Sequence, residues 1–253
     1  MRYYTVSDGI VIRRSALPSG DVIVTLLNQS GKWRAVARKG SLPGGNLGRL
    51  SLFHDVNVQY YRKNDDDLAL LTQVQLNGAL ARLSDPGVYP YAHLITELVD
   101  VLTVDVHLGE RLYEYLASGL RGLNVHGDPE HVALLYAWRL LGVAGLAPRL
   151  GPCVSCARDL PLVTFDVARG GLACQGCGDG VPLPPNAPEE LRNLIIRPLG
   201  EALKCPPAAR TLHWHLLERY VAYHAHELRS FAAVKALSHT PSTPASAHNP
   251  THV

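Results

Sequence analysis

Two cysteine pairs constrain this chain more than any other feature. They read Cys153-Val154-Ser155-Cys156 and Cys174-Gln175-Gly176-Cys177, with seventeen residues between them. A two-residue gap turns both sulfurs of a pair toward one point, so two such knuckles supply the four ligands of a tetrahedral metal site. Val163, Phe165 and Val167 alternate like a short strand between the knuckles, and Gly170-Gly171 offers the turn before the second. Disulfides and a redox Cys-x-x-Cys are the competing readings, but a redox motif has no reason to be duplicated around a hairpin. One Zn²⁺ held by Cys153, Cys156, Cys174 and Cys177 is expected. With sulfur at all four positions no place is left for a reactive water, so this metal holds structure.

At 253 residues the chain is longer than one typical domain. Its start, Met1-Arg2-Tyr3-Tyr4-Thr5, lacks the apolar region of a signal peptide. The apolar stretch from Leu134 to Leu146 is interrupted by Arg139 and too short to span a bilayer. Cysteines in a metal pattern beside the unpaired Cys205 fit a reducing compartment, so a cytoplasmic protein without a membrane partner is expected. Cys205 itself reads as a small apolar residue. Charge is uneven: residues 1–80 hold ten Lys/Arg against six Asp/Glu, residues 81–150 five against eight, and residues 151–253 nine against eight. The N-terminal part is therefore the candidate for a polyanion partner.

That part reads as β. Ile10-Val11-Ile12, Val22 to Leu27, Trp33 to Val36 after the Ser30-Gly31 turn, a strand with Leu52, Val56, Val58 and Tyr60 on one face, and Leu68 to Val74 make five short strands. Such spacing predicts a small closed barrel such as an OB-fold, with an SH3-like barrel as the alternative. Asp65-Asp66-Asp67 reads as a hairpin turn. Arg13, Arg14, Arg34, Arg38, Lys39, Arg49, Arg62 and Lys63 are the candidate phosphate contacts, and Tyr60 and Tyr61 the candidate stacking platforms for bases. Lys32 adds to the same basic set. Several of these flank the glycine-rich loop from Arg38 to Arg49, which lacks the Gly-Lys-Ser/Thr ending of a nucleotide-binding loop. The bland reading is an ordinary solvated face with buried tyrosines.

From Tyr89 the period changes to that of helices. Tyr91, Leu94, Ile95, Leu98, Val99 and Leu102 form one stripe, and Leu112, Leu116, Leu120 and Leu123 another that ends at Asn124. Asp128-Pro129-Glu130 has the form of a cap, first-turn proline and acidic start. Asn186 to Glu190 opens a further helix, and one long helix is expected from about Ala208 to Leu228, continuing toward Leu237, with Leu212, Leu216, Leu217, Tyr220 and Tyr223 as its stripe. From Ser238 onward the composition predicts a disordered tail. The histidines His213, His215, His224 and His226 show no metal-ligand or catalytic spacing, and no nucleophile or nucleotide motif is present. No enzymatic activity is expected.

The order of parts is similar to one known family. Gly9-Ile10-Val11-Ile12, Gly20-Asp21-Val22-Ile23, Ser30-Gly31-Lys32, Ala37-Arg38-Lys39-Gly40-Ser41, the four-cysteine hairpin with Gly170-Gly171, and His226-Glu227-Leu228-Arg229-Ser230 resemble the bacterial recombination mediators of the RecO family over residues 1–237. The resemblance implies an α+β, multi-domain chain: a five-stranded OB-fold at 1–80 that binds DNA, then an all-α helical domain carrying a four-cysteine zinc hairpin. The helical parts would be 81–150 and 184–237, with the hairpin inserted at 151–183 and a tail at 238–253. It also implies a nucleoid-associated DNA repair protein that binds single- and double-stranded DNA and anneals complementary strands. Its implied partners are RecR, in many bacteria RecF, and the acidic C-terminal tail of single-strand-binding protein (SSB), in the service of loading RecA on SSB-coated strands. The family's basic cluster after Gly40 is replaced here by Leu42-Pro43-Gly44-Gly45. Two rivals stand beside this reading: a zinc-stapled adaptor that binds only proteins, and a metal-dependent enzyme of nucleic-acid metabolism.

Overall fold

Strand-like alternation in the first third of the chain produces a closed barrel. The computed structural model describes residues 4–64, 67–103 and 109–238. Strands β1 (Tyr4–Ala16), β2 (Val22–Asn28), β3 (Gly31–Ala37), β4 (Asp55–Tyr61) and β5 (Ala69–Gly78) are hydrogen-bonded in the order β1-β2-β3-β5-β4, with β4 returning to β1. Only β3 and β5 run parallel among these neighbours. This order decides for the OB-fold over the SH3-like alternative. Val11, Val24, Leu26, Ala35, Val56 and Val58 fill the interior, and each buried Val or Leu contributes about 1.5–3 kcal/mol. Gly31 makes the β2–β3 turn at φ +113°, a conformation a side chain would resist.

The helical part begins with α1 (Tyr89–Leu102), α2 (Gly109–Val125) and α3 (Pro129–Val143). The predicted stripes of α1 and α2 are buried as expected. Asp128 caps α3 by accepting the His131 N–H at 3.0 Å, and Pro129 sits in the first turn where a missing N–H costs nothing. Next comes a small sheet of β6 (Leu162–Asp166), β7 (Gly171–Cys174) and β8 (Val181–Pro182), ordered β7-β6-β8. The chain then returns to helices: α4 (Ala187–Ile195), the single turn α5 (Leu199–Ala202), α6 (Arg210–His224) and α7 (Ser230–Ser238). Among the described residues no helix is long and apolar enough to cross a membrane.

Barrel and helices share apolar surface. Ile10, Ile12 and Leu27 point outward from the barrel, and with Phe53 they join the core built by α1, α2 and α3. This explains why three consecutive residues of β1, Ile10 to Ile12, are all apolar: Val11 faces the barrel interior and its neighbours face the helices.

Several expectations need correction. The long helix from Ala208 is two helices. Ala225 leaves helical geometry at φ −127°, ψ −87°. Glu97 of α1 then accepts the N–H groups of Arg229 (3.2 Å) and Ser230 (2.9 Å), satisfying donors that the start of α7 leaves open. His226 consequently lies beyond α6. Tyr223 is 64% exposed and stands outside the core stripe that Tyr220 occupies. Cys205 is exposed, with its sulfur 3.5 Å from the Arg197 guanidinium, and not a core residue. Leu52 precedes β4, although Val56, Val58 and Tyr60 do share one face of it. Asp65, Asp66 and residues 239–253 lie outside the described residues.

Candidate metal centre and basic barrel face

Backbone geometry gathers the four cysteines. Cys153 and Cys156 lie in the connection between α3 and β6, Cys174 ends β7, and Cys177 follows in a turn closed by its N–H to the Cys174 carbonyl at 3.1 Å. Ala157, at φ +56°, takes the left-handed bend that completes the first knuckle while its N–H reaches the Cys153 carbonyl. All four Sγ atoms lie within 4.8 Å of one another, and Cys156 and Cys174 are 3.9 Å apart. A tetrahedron with metal–sulfur bonds of about 2.3 Å has edges of about 3.8 Å, so the set can hold a metal ion. None of the four is in a disulfide.

The environment divides the sulfurs, favouring thiolate at Cys153 and thiol at Cys177. Backbone N–H groups at Cys156 and Cys174 hold the Cys153 thiol down at about 6, and the Cys174 N–H lies 3.4 Å from its sulfur. Hydrogen bonding with Cys156 and Cys174, followed by burial and their charge, pushes the Cys177 thiol up to about 12. Four crowded sulfurs cannot all ionise without a cation among them, which is the chemistry of a metal-thiolate site.

The hairpin is fastened to the helices through its other side. Phe165 is fully buried, with ring centroids 6.2 Å from Trp138 and 5.8 Å from Tyr220. His224 Nε2 bonds the Val167 carbonyl at 2.6 Å. The Arg149 N–H reaches the Gly170 carbonyl, while the Arg149 carbonyl accepts from Leu172.

The basic residues of the barrel fall into distinct places. Strand register lays Arg13, Thr25 and Arg34 in one row across β1, β2 and β3. Val24 and Leu26 fill the interior, so this row faces outward, and β3 continues it with Lys32 on one side of Arg34 and Val36 on the other. Arg38, just past the strand end, follows the same alternation. Arg34 and Arg38 are exposed. Arg14 instead turns to the 38–54 connection, donating to the Leu47 carbonyl at 3.3 Å and Ser51 Oγ at 3.4 Å. Lys39 and Arg49 are exposed in that connection; the Lys39 N–H is held by Asp21, and Arg49 reaches Asn46 Oδ1 at 3.1 Å.

The aromatic residues divide as well. Tyr60 faces inward and meets Trp33 at a centroid distance of 4.8 Å, with the Arg62 guanidinium 5.5 Å from the Tyr60 ring and 5.9 Å from the Trp33 ring. Lys63 follows, exposed. Tyr61 points to the opposite side of β4, in register with Tyr4. Trp33 was not among the candidate site residues. Alternation with Lys32 and Arg34 puts its ring on the inner face of β3, beside Tyr60 and within 5.9 Å of the Arg62 guanidinium.

Asp100 of α1 enters this basic face. Its carboxylate lies 2.8 Å from Lys32 Nζ and 3.8 Å from the Arg13 guanidinium, and Lys32 also donates to the Asp100 main-chain carbonyl at 2.7 Å.

Comparison with known proteins covers both parts of the chain. The family described as Recombination protein O N terminal matches residues 1–79, and Recombination protein O C terminal matches residues 83–230. A DNA repair protein RecO of Desulfatibacillum aliphaticivorans is 30% identical over 234 residues, covering 86% of this chain and 91% of its own. One of Streptomyces coelicolor is 33% identical over 236 residues, covering 83% and 93%. One of Bacillus subtilis is 28% identical over 194 residues, covering 74% and 76%.

Proposed function

The chain belongs to the recombination protein O family, and from this premise we propose that it is a recombination mediator in DNA repair that binds single- and double-stranded DNA through its barrel. The observation that carries the proposal is the outward row of Arg13 and Arg34 on a closed OB barrel. Annealing two strands means bringing two polyanions together, and a cationic surface lowers their repulsion without any covalent step. A catalytic base is not required. Arg13, Arg14, Arg34, Arg38, Lys39, Arg49, Arg62 and Lys63 serve as phosphate contacts in this reading. Bases would stack at the Trp33–Tyr60 corner or on Tyr61.

RecR, RecF, the SSB tail and RecA belong to the same proposal, as the partners that a RecO-family mediator works with when it promotes RecA loading on SSB-coated DNA. Zn²⁺ is the metal we assign to Cys153, Cys156, Cys174 and Cys177, because an all-thiolate tetrahedral set suits that ion and leaves no open position. Its role is to hold the hairpin. The decisive experiment titrates a labelled single-stranded oligonucleotide at several salt concentrations, with wild type and Arg34→Ala. Binding should weaken steeply with salt, and Arg34→Ala should flatten the log–log slope by about 0.7. A flat salt dependence in wild type would exclude phosphate contacts as the basis of binding.

A further inference from the structure

Asp100 is an odd residue for its position. It lies in the last turn of α1 (Tyr89–Leu102), where the helix dipole disfavours a negative charge. Its side chain is nonetheless only 19% exposed, held against the barrel between Lys32 and Arg13. Lys32 makes the arrangement tolerable, because its ammonium bonds both the carboxylate and the Asp100 carbonyl, one of the last in α1. The two cations are not held equally. The Lys32 contact at 2.8 Å is a hydrogen-bonded ion pair with the side chain 30% exposed, whereas Arg13 stands off at 3.8 Å with 72% of its side chain in solvent. Among the described residues no carboxylate forms a salt bridge with Arg34.

We infer that Asp100 is a built-in counter-ion that withholds Lys32, and in part Arg13, from a nucleic-acid phosphate, so that the barrel's outer face works below its full charge. The inference rests on the barrel being the DNA-binding surface, as proposed above. It follows from where the carboxylate sits: a phosphate approaching β3 meets Arg34, which has no salt bridge among the described residues, but meets Lys32 with its charge already spent on the helical domain. A helix that merely covers the barrel does not need an acidic residue there. The consequence is a face that holds a strand firmly enough to present it and loosely enough to release it.

The salt slope of binding counts the cations that contact phosphate, so it separates the two lysine states. With the same labelled oligonucleotide, Asp100→Asn should bind about three- to tenfold more tightly than wild type and steepen the slope by about 0.7 for each cation released. Asp179→Asn, which removes an exposed carboxylate in the metal hairpin, should leave both unchanged. In the wild-type background Lys32→Gln should keep the slope, while Arg34→Gln should flatten it; this comparison stands even should Asp100→Asn not fold. Equal tightening by Asp100→Asn and Asp179→Asn would reduce the effect to net charge and overturn the inference. So would a Lys32→Gln slope as flat as that of Arg34→Gln, or a folded Asp100→Asn that binds no more tightly than wild type. In those cases an effect of Arg34→Gln shows that the barrel reading survives. No effect of Arg34→Gln, Lys32→Gln or Asp100→Asn removes both.

Discussion

Gly109, the first residue of α2, rests directly on Gly31 in the β2–β3 turn, so closely that a methyl group at Gly109 would lie 2.7 Å from Gly31 Cα and N. Two glycines therefore let backbone meet backbone where the barrel joins the helices. Together with Ile10, Ile12, Leu27 and Phe53, which extend the helical core into the barrel, this contact ties the two parts into one packed unit.

Gly109→Val should destabilise the protein by about 1–3 kcal/mol, the usual cost of forcing extra atoms into a packed site. The Gly31 backbone cannot swing aside as a flexible side chain could. Urea unfolding of wild type and variant, followed by both circular dichroism and tryptophan fluorescence, measures the difference. An unchanged midpoint would mean that the junction yields easily.

Glu97 predicts a pH dependence. Burial alone would raise its carboxyl, but hydrogen bonds from Ser230 and Arg229 outweigh that and hold it below the ordinary glutamate value of 4.5. Because the folded-state value is depressed, the stabilisation is fully present above the unfolded value and is lost as pH falls through the folded one. Glu97→Gln should thus cost about 1 kcal/mol near neutrality, the scale of a lost helix cap. The cost should shrink steadily below about pH 4. Thermal unfolding of both proteins across acidic pH checks this, and a gap that stays constant down to low pH would contradict the assignment.

The metal hairpin makes a third case. Metal analysis of purified protein should return one zinc per chain, and Cys174→Ser should lose it. Metal affinity should fall as pH is lowered, since binding requires thiolates and displaces their protons. Oligonucleotide binding at moderate salt should stay within about twofold of wild type after the metal is removed, because the proposed phosphate contacts lie on the barrel. Phe165→Ala should cost about 3–5 kcal/mol by emptying the space between Trp138 and Tyr220. Loss of DNA binding on chelation, with the barrel still folded, would assign the hairpin a direct role.

Much of the site was legible from short-range pattern. Cysteine spacing located the four sulfurs that could hold a metal because a knuckle is a local turn whose geometry needs only its own residues. Alternation located the barrel strands, and Asp128-Pro129 the start of α3, for the same reason. The Arg13–Thr25–Arg34 row is another matter, since each residue is visibly outward on its own strand but the row exists only through the β1–β2–β3 register. Tyr61 looked equivalent to Tyr60 and points the opposite way, a consequence of period-two alternation that becomes informative only once the inner face is known.

By itself, then, the sequence determined most of the elements and the candidate ligands: which residues alternate, which repeat every third or fourth position, and which four sulfurs stand at metal spacing. These depend on bonds and turns within a few residues. Tertiary structure alone decided that α6 stops at His224 and that Glu97, more than a hundred positions away, starts α7. It also decided that Asp100 pairs with Lys32 on the barrel. The reason is physical: the energy of a capping carboxylate or an ion pair depends on what folding brings within about 3 Å, and separation along the chain carries no information about that distance.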